Sequence, residues 1–252
     1  LTWIACAATP ASAITNGTAD ENAHPEVGAL IGDAPNADGT WSYCTGTLIS
    51  PTVFLTAAHC GEKGQKTARV SFAERYEPGA ATYTGRYVPD PRYKKSGELH
   101  DMAVVVFDAP VPGIKPAVLP EPGLLDRIEE AGGMKKALFT SVGYGSQASI
   151  KKARGWRYRN TDTRHQARIS FKDLSARWLD LAPKGPGDGS TCFGDSGGPN
   201  FLGGPDSHLL VATTIGGVDD ACKLTNFDYR LDTATARRFL SRFVTLPGPS
   251  PL

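Results

Sequence analysis

The residues with the clearest chemical potential lie in Gly194-Asp195-Ser196-Gly197-Gly198, where a serine stands between an aspartate and two glycines. A serine hydroxyl is a weak nucleophile until a base takes its proton and donors stabilise the oxyanion that attack creates. A glycine-dense stretch permits a sharp bend or a very close backbone approach. Such a bend would aim the N–H groups of Gly194 and Ser196 at one point. The bland alternative is a glycine-rich turn without chemistry.

Spacing alone leaves two arrangements open. Gly194-x-Ser196-x-Gly198 also fits the G-x-S-x-G elbow of α/β-hydrolases, in which the acid and the histidine follow the serine. The only histidine downstream is His208, two residues beyond Asp206, so acid and base would be almost adjacent in sequence. Partners upstream, in the order His, Asp, Ser, suit this chain better. The runs 42–49 and 53–57, joined by Ser50-Pro51-Thr52, read as paired strands and place His59 at the exit of the second. His100-Asp101 precedes the apolar run 102–107, of buried-strand type. An aspartate at that mouth is costly to bury unless a histidine from elsewhere pairs with it. The competing readings are a structural histidine and an aspartate that only caps its strand.

The chain around these residues is 252 residues long, enough for one large domain or two small subdomains. Its net charge is only +1, so no global field favours nucleic acid or a membrane. With 28 glycines and 19 prolines it is turn-rich, as many short strands require. Setting Cys6 aside, Cys44, Cys60, Cys192 and Cys222 allow three pairings, and no Cys/His spacing points to zinc. Local bridges 44–60 and 192–222 would each stabilise by roughly 3–4 kcal/mol and imply an oxidising compartment.

Residues 1–13 are apolar and end in Ala11-Ser12-Ala13, an A-x-A cleavage signal, so they read as a signal-peptide remnant that would carry Cys6 away. Cleavage there leaves Ile14 as the new terminus. Asn16-Gly17-Thr18 is formally a glycosylation sequon, and Glu74 with Glu77 are the acids nearest to a calcium loop. The proline-rich segment 108–123 looks like a linker between halves of similar size. Residues 151–168 carry seven basic side chains against one acid, either a solvated face or a docking patch for an acidic partner. Near the end, Asp232 would cap a helix whose Ala236, Phe239, Leu240, Phe243 and Val244 share one face.

With His59, Asp101 and Ser196 in that order, the chain resembles the chymotrypsin/trypsin family of serine proteases from Ile14 to about Val244. The matching motifs are Cys44-Thr-Gly-Thr-Leu-Ile49, Thr56-Ala-Ala-His-Cys60, Asp101-Met-Ala-Val-Val105 and Gly194-Asp-Ser-Gly-Gly-Pro199. The resemblance implies an all-β, trypsin-like fold: two packed antiparallel six-stranded β-barrels with a C-terminal α-helix. Expected bounds are about 27–110 for the first barrel, 124–232 for the second and 233–245 for the helix, inside a domain of 14–246 with a disordered tail. It implies a secreted serine endopeptidase, likened to monomeric relatives, that needs no cofactor or metal and acts on peptide or protein substrates. His59 would be the general base, Asp101 its orienting acid, Ser196 the nucleophile, and the N–H groups of Gly194 and Ser196 the oxyanion hole. Ile14 and Asp195 would form the activation ion pair, with signal peptidase releasing the terminus. Thr214 would steady Asp101, and Ser190, Thr214, Gly216 and Phe227 would line the substrate pocket. Ser190 stands where trypsins have aspartate, and Phe227 would shorten the pocket and favour small or medium apolar side chains before the cut. Asp188, Asp219 and Asp220 are expected near the rim, and a third family disulfide is missing from the second half. The rival readings are a catalytically silent, protease-like binding protein and an esterase built around His208.

Overall fold

The computed structural model describes residues 14–97 and 99–249, so the leader reading of residues 1–13 lies outside the described residues. A short strand β1 (Thr18–Ala19) precedes six strands: β2 (Val27–Ile31), β3 (Ser42–Ser50), β4 (Val53–Thr56), β5 (Thr67–Ser71), β6 (Tyr83–Pro89) and β7 (Ala103–Val106). These six close into an antiparallel barrel in the order β2-β3-β4-β7-β6-β5. The apolar run in β7 follows from burial on both faces. Ala103 and Val105 face the barrel interior with Leu30, Leu48, Phe54 and Val70. Met102 and Val104 face the other way, into the layer between the two halves.

A short helix α1 (Leu124–Glu130) leads into the second half. Its strands are β8 (Leu138–Gly143), β9 (Ala148–Lys152), β10 (Gly155–Arg159), β11 (His165–Leu174), β12 (Trp178–Ala182), β13 (Pro199–Leu202), β14 (Leu210–Gly217) and β15 (Asn226–Arg230). Strands β11-β12-β15-β14-β13-β8 form the second six-stranded barrel, closed by pairing of β8 with β11, and β1 is annexed to β11. The hairpin β9–β10 stands apart as a two-stranded ribbon. Phe139, Ile169, Leu179, Leu181 and Val211 fill the second barrel. The core between the barrels joins Val27, Leu55 and Val104 to Tyr144, Phe201, Tyr229 and the buried face of the last helix, α2 (Ala234–Leu240).

That helix is shorter than the hydrophobic pattern implied, because turns take over at 241–243. Its cap is Thr233, whose side chain accepts from the Ala236 N–H, rather than Asp232. Asp232 is drawn away to a buried contact with Arg230 and to the N–H of Leu125, at the start of α1.

One buried cation locks the barrels together. Arg164, fully inaccessible, donates to Asp20 at 2.8 Å, to the carbonyls of Val27 and Phe72 in the first half, and to the Tyr144 hydroxyl in the second. Burial raises the Asp20 pKa, but bonds from His24 and the Arg164 charge outweigh it and hold the carboxyl at about 2. Since that value lies below the ordinary 3.8, the stability it brings is complete above pH 4 and is lost as pH falls towards 2. Arg164→Met leaves Asp20 buried with His24 as its remaining partner, and is expected to cost about 3–5 kcal/mol by urea unfolding at neutral pH. Asp20→Asn serves as a milder companion, which should keep the fold and lose the acid limb of the stability–pH curve.

Candidate active site

His59 sits in a short 3-10 turn directly after β4, and the Cys44–Cys60 disulfide ties that turn to β3. Asp101 lies just before β7, the antiparallel neighbour of β4, so both residues emerge from the same end of one strand pair. The buried Asp101 carboxylate accepts the His59 backbone N–H at 2.9 Å and lies 2.7 Å from Nδ1. A carboxylate can only accept there, so Nδ1 carries the proton and Nε2 keeps its lone pair. The imidazole is held in place from behind and remains partly open to solvent.

Ser196 comes from the other barrel, at the turn before β13. A single buried carboxylate shapes that turn: Asp195 accepts the N–H groups of Cys192 and Gly145, each at 2.8 Å. Burial pushes its pKa up to about 7, and the two N–H bonds offset only part of that. Gly194, at φ +97°, turns the chain in the left-handed region, where a side chain would be strained. The first barrel grips the same turn through Thr45, which sequence reading missed. Its N–H donates to the Ser196 carbonyl at 2.9 Å and its hydroxyl to the Gly194 carbonyl at 2.8 Å. The N–H groups of Gly194 and Ser196 are left without any hydrogen bond to the described residues.

His59, Gly194 and Ser196 line one cleft of about 610 Å³, with Thr214, Gly216, Asn226 and Phe227 along it. The Cys192–Cys222 disulfide fastens the Asp219–Asp220 loop across its mouth. Beneath it Ser190 is buried, its hydroxyl donating to Asn226 Oδ1 at 3.2 Å. Asn226, absent from the sequence reading, lines the cleft itself, whereas Ser190 does not, and Asn226 Nδ2 has no partner among the described residues.

Phe227, next to Asn226 on β15, lines the cleft, packing edge-on to Trp178 (5.7 Å) and over Gly216. Two other expectations about this pocket need correction. Thr214 lines the cleft, but its hydroxyl accepts from Asn200 at 3.0 Å instead of steadying Asp101, whose side-chain bonds all come from His59. Asp188 turns away from the rim into a buried site made by Arg168, Ser170 and the Lys184 N–H. The physical reason is common to both: a nearby donor set decides the direction of a side chain, and spacing to a motif does not.

The other candidates are dispersed. Ile14 is fully buried and Thr15 pairs with Ser190, yet Ile14 is joined to Ala13 here and makes no ion pair with Asp195. His208 is bonded to Glu26 at 2.5 Å, outside the cleft. Glu74 and Glu77 are exposed, with Glu77 facing Arg75. Among the described residues the one cluster of metal-ligand type is Cys44, His59 and Cys60, whose sulfurs are joined in a disulfide.

Against known proteins, residues 19–237 match the family model described as Trypsin. The chain is 28% identical over 181 residues to kallikrein-15 of Homo sapiens, covering 64% of this chain and 67% of that one. It is also 28% identical over 204 residues to a trypsin of Saccharopolyspora erythraea, covering 77% and 82% respectively. The chain therefore belongs to the trypsin family and is a serine endopeptidase with two disulfides.

Two substitutions probe the site. A Cβ on Gly145 would lie 2.5 Å from Asp195 Cγ and 2.6 Å from Asp195 N. Gly145→Ala should thus deform the Ser196 turn and slow fluorophosphonate labelling by about 10²-fold or more, the scale of losing an oxyanion donor. Asp228 is inaccessible, and burial pushes it up to about 8, offset only in part by the neighbouring Thr214 and Asn200 side chains. Because that is above its ordinary 3.8, stability is lost as pH rises from 4 towards 8. Asp228→Asn should raise the melting temperature at pH 8 and much less at pH 5.

Proposed function

We propose that Ser196 attacks the scissile carbonyl of a peptide or protein, with His59 as general base and Asp101 orienting and stabilising the imidazolium. The observation that carries this reading is the pairing of buried Asp101 with a partly open His59, which lines one cleft with Ser196 and with the unspent N–H groups of Gly194 and Ser196. As the carbonyl becomes tetrahedral its oxygen takes up those N–H bonds, a gain realised only in the transition state. His59 then gives the proton to the leaving amine, an acyl-enzyme forms, and water attacks by the same route in reverse.

Asp195 gives a reason for a processed terminus. A free Ile14 ammonium, released by cleavage after Ala13, would meet a buried carboxylate that now has only neutral partners. Pairing would lower the Asp195 pKa and fix the turn. The two disulfides favour secretion into an oxidising compartment. A monomer is the simplest assembly, and neither nucleic acid nor a membrane is needed; no described helix is long and apolar enough to cross one.

The pocket floor argues for a medium-sized P1 side chain with a hydrogen-bonding end over the purely apolar one that Phe227 seemed to require. Asn226 lines the cleft with a buried Nδ2 that has no partner among the described residues, and a buried group left unpaired costs about 1–3 kcal/mol. Glutamine, with both donor and acceptor, should beat its near-isostere methionine by about tenfold in kcat/KM. A P1 panel assayed with protein beginning at Ile14 checks this, and preference for Leu or Val would restore the apolar reading. Ser196→Ala should abolish cleavage in every arm. If the intact protein labels with no fluorophosphonate and cleaves no peptide, the silent binding protein becomes the better account.

A further inference from the structure

The hairpin β9–β10 is the largest feature that the catalytic reading leaves unused. Lys151, Lys152, Arg154, Arg157 and Arg159 are all exposed on it, and residues 146–161 contain no acid. Among the described residues none of these five cations has a carboxylate within ion-pair distance. Because the net charge of the whole chain is only +1, the positive field is local to this ribbon. Lys151 rests over the Trp156 ring, 5.9 Å from its centroid, and Ile150 is exposed beside Arg157 across the strands.

The ribbon is fastened to the cleft and does not hang free. Tyr158 packs on Phe193 with ring centroids 4.6 Å apart, and Phe193 lines the cleft one residue before Gly194. The Tyr158 hydroxyl donates to the Asp220 carbonyl at 2.9 Å, and Ser149 Oγ donates to the Ala221 carbonyl at 2.5 Å. In the register of the hairpin, Tyr158 and Ser149 share the inward face, which leaves Arg157 and Arg159 on the outer one. Asp38 is bonded by Asn160 at the base of the hairpin, while Asp219 and Asp220 belong to the pocket mouth, where the Asp219 carboxylate is engaged by the N–H groups of Lys223 and Leu224.

We propose that this hairpin is a docking surface for acidic residues flanking the scissile bond of the polypeptide substrate. The inference rests on the endopeptidase reading above and adds a substrate class to it. Like charges crowded on a two-stranded ribbon repel one another, and an acidic strand laid beside the cleft removes that repulsion. Asp219 and Asp220 set the complementary rule at the pocket mouth, where an acidic P1 side chain is repelled. A polypeptide is favoured over another polyanion because the ribbon is bonded to both sides of the cleft that holds Ser196, where a substrate chain must pass.

The test uses two quenched peptides with the same P1 residue, one flanked by glutamates and one by glutamines. Active sites are counted by fluorophosphonate labelling. The Glu-flanked peptide should show kcat/KM about tenfold higher at low salt, and the advantage should shrink as added salt shortens the Debye length to about 3 Å at 1 M. Lys152→Glu/Arg154→Glu/Arg157→Glu should reverse the preference while cleaving the Gln-flanked peptide within about twofold of the parent, since exposed substitutions rarely disturb the fold. Equal cleavage of both peptides by the parent overturns the proposal and leaves the endopeptidase intact. Loss of Gln-flanked cleavage in the triple variant also overturns it, by making the hairpin a mere prop. Anisotropy binding of both peptides to Ser196→Ala gives a readout independent of turnover. Tighter binding of the Glu peptide there supports the surface even if catalysis fails. Tight binding of a sulfated polysaccharide with no discrimination between the peptides would replace the proposal with a general polyanion site.

Discussion

The turn that carries Ser196 exists because one carboxylate is packed where nothing else fits. Asp195 lies against Gly143 and Gly145, neither of which could carry a Cβ without meeting it. It draws the N–H groups of Cys192 and Gly145 inward, and the Gly198 N–H is spent on its carbonyl. What remains pointing outward is the pair from Gly194 and Ser196. Strain and buried charge on one side of the turn thus generate unspent donors on the other. A carboxylate so buried is costly with neutral partners alone, which is why its environment pushes it towards neutrality.

The barrels convert this local geometry into a site shared between two halves. Thr56 and Ala103 are register partners in β4 and β7, so His59 and Asp101 leave the pair at the same end although 42 residues apart. Ser196 precedes β13 in the other barrel, and Thr45 on β3 holds it against the first. Relative placement of the halves then matters to within ångströms, and Arg164 secures it by donating to carbonyls of one half and a hydroxyl of the other. A guanidinium suits the task because its fork serves several acceptors in fixed directions.

Features that depend on local pattern were legible in the sequence. The apolar runs marked β3, β4 and β7 to within about a residue or two, and motif order pointed to the family. Side-chain direction was not legible. Asn226 and Phe227 are neighbours, and only the register of β15 against β12 and β14 determines that Asn226 adjoins the floor while Phe227 meets Trp178. Thr45 carried no signal because its role is long-range, 149 residues from the Gly194 carbonyl it holds. The hairpin β9–β10 read as an undivided basic stretch, since Gly155 and five cations obscure its alternation. Asp232 looked like a helix cap because the buried Arg230 that claims it could not be known to point inward.

The pocket shows where such a fold places its uncompensated costs. Asn226 Nδ2 is buried without a partner among the described residues, on β15 where it lines the cleft. An unpaired polar group weakens the free protein, yet it also rewards any ligand that reaches and satisfies it. Apolar side chains could fill the space but would leave Asn226 unpaired, so they gain only area. A polar-ended side chain gains area and removes the penalty together. The proposed P1 preference thus places selectivity in what the unbound protein leaves unsatisfied, beside the bulk of Phe227 on the wall.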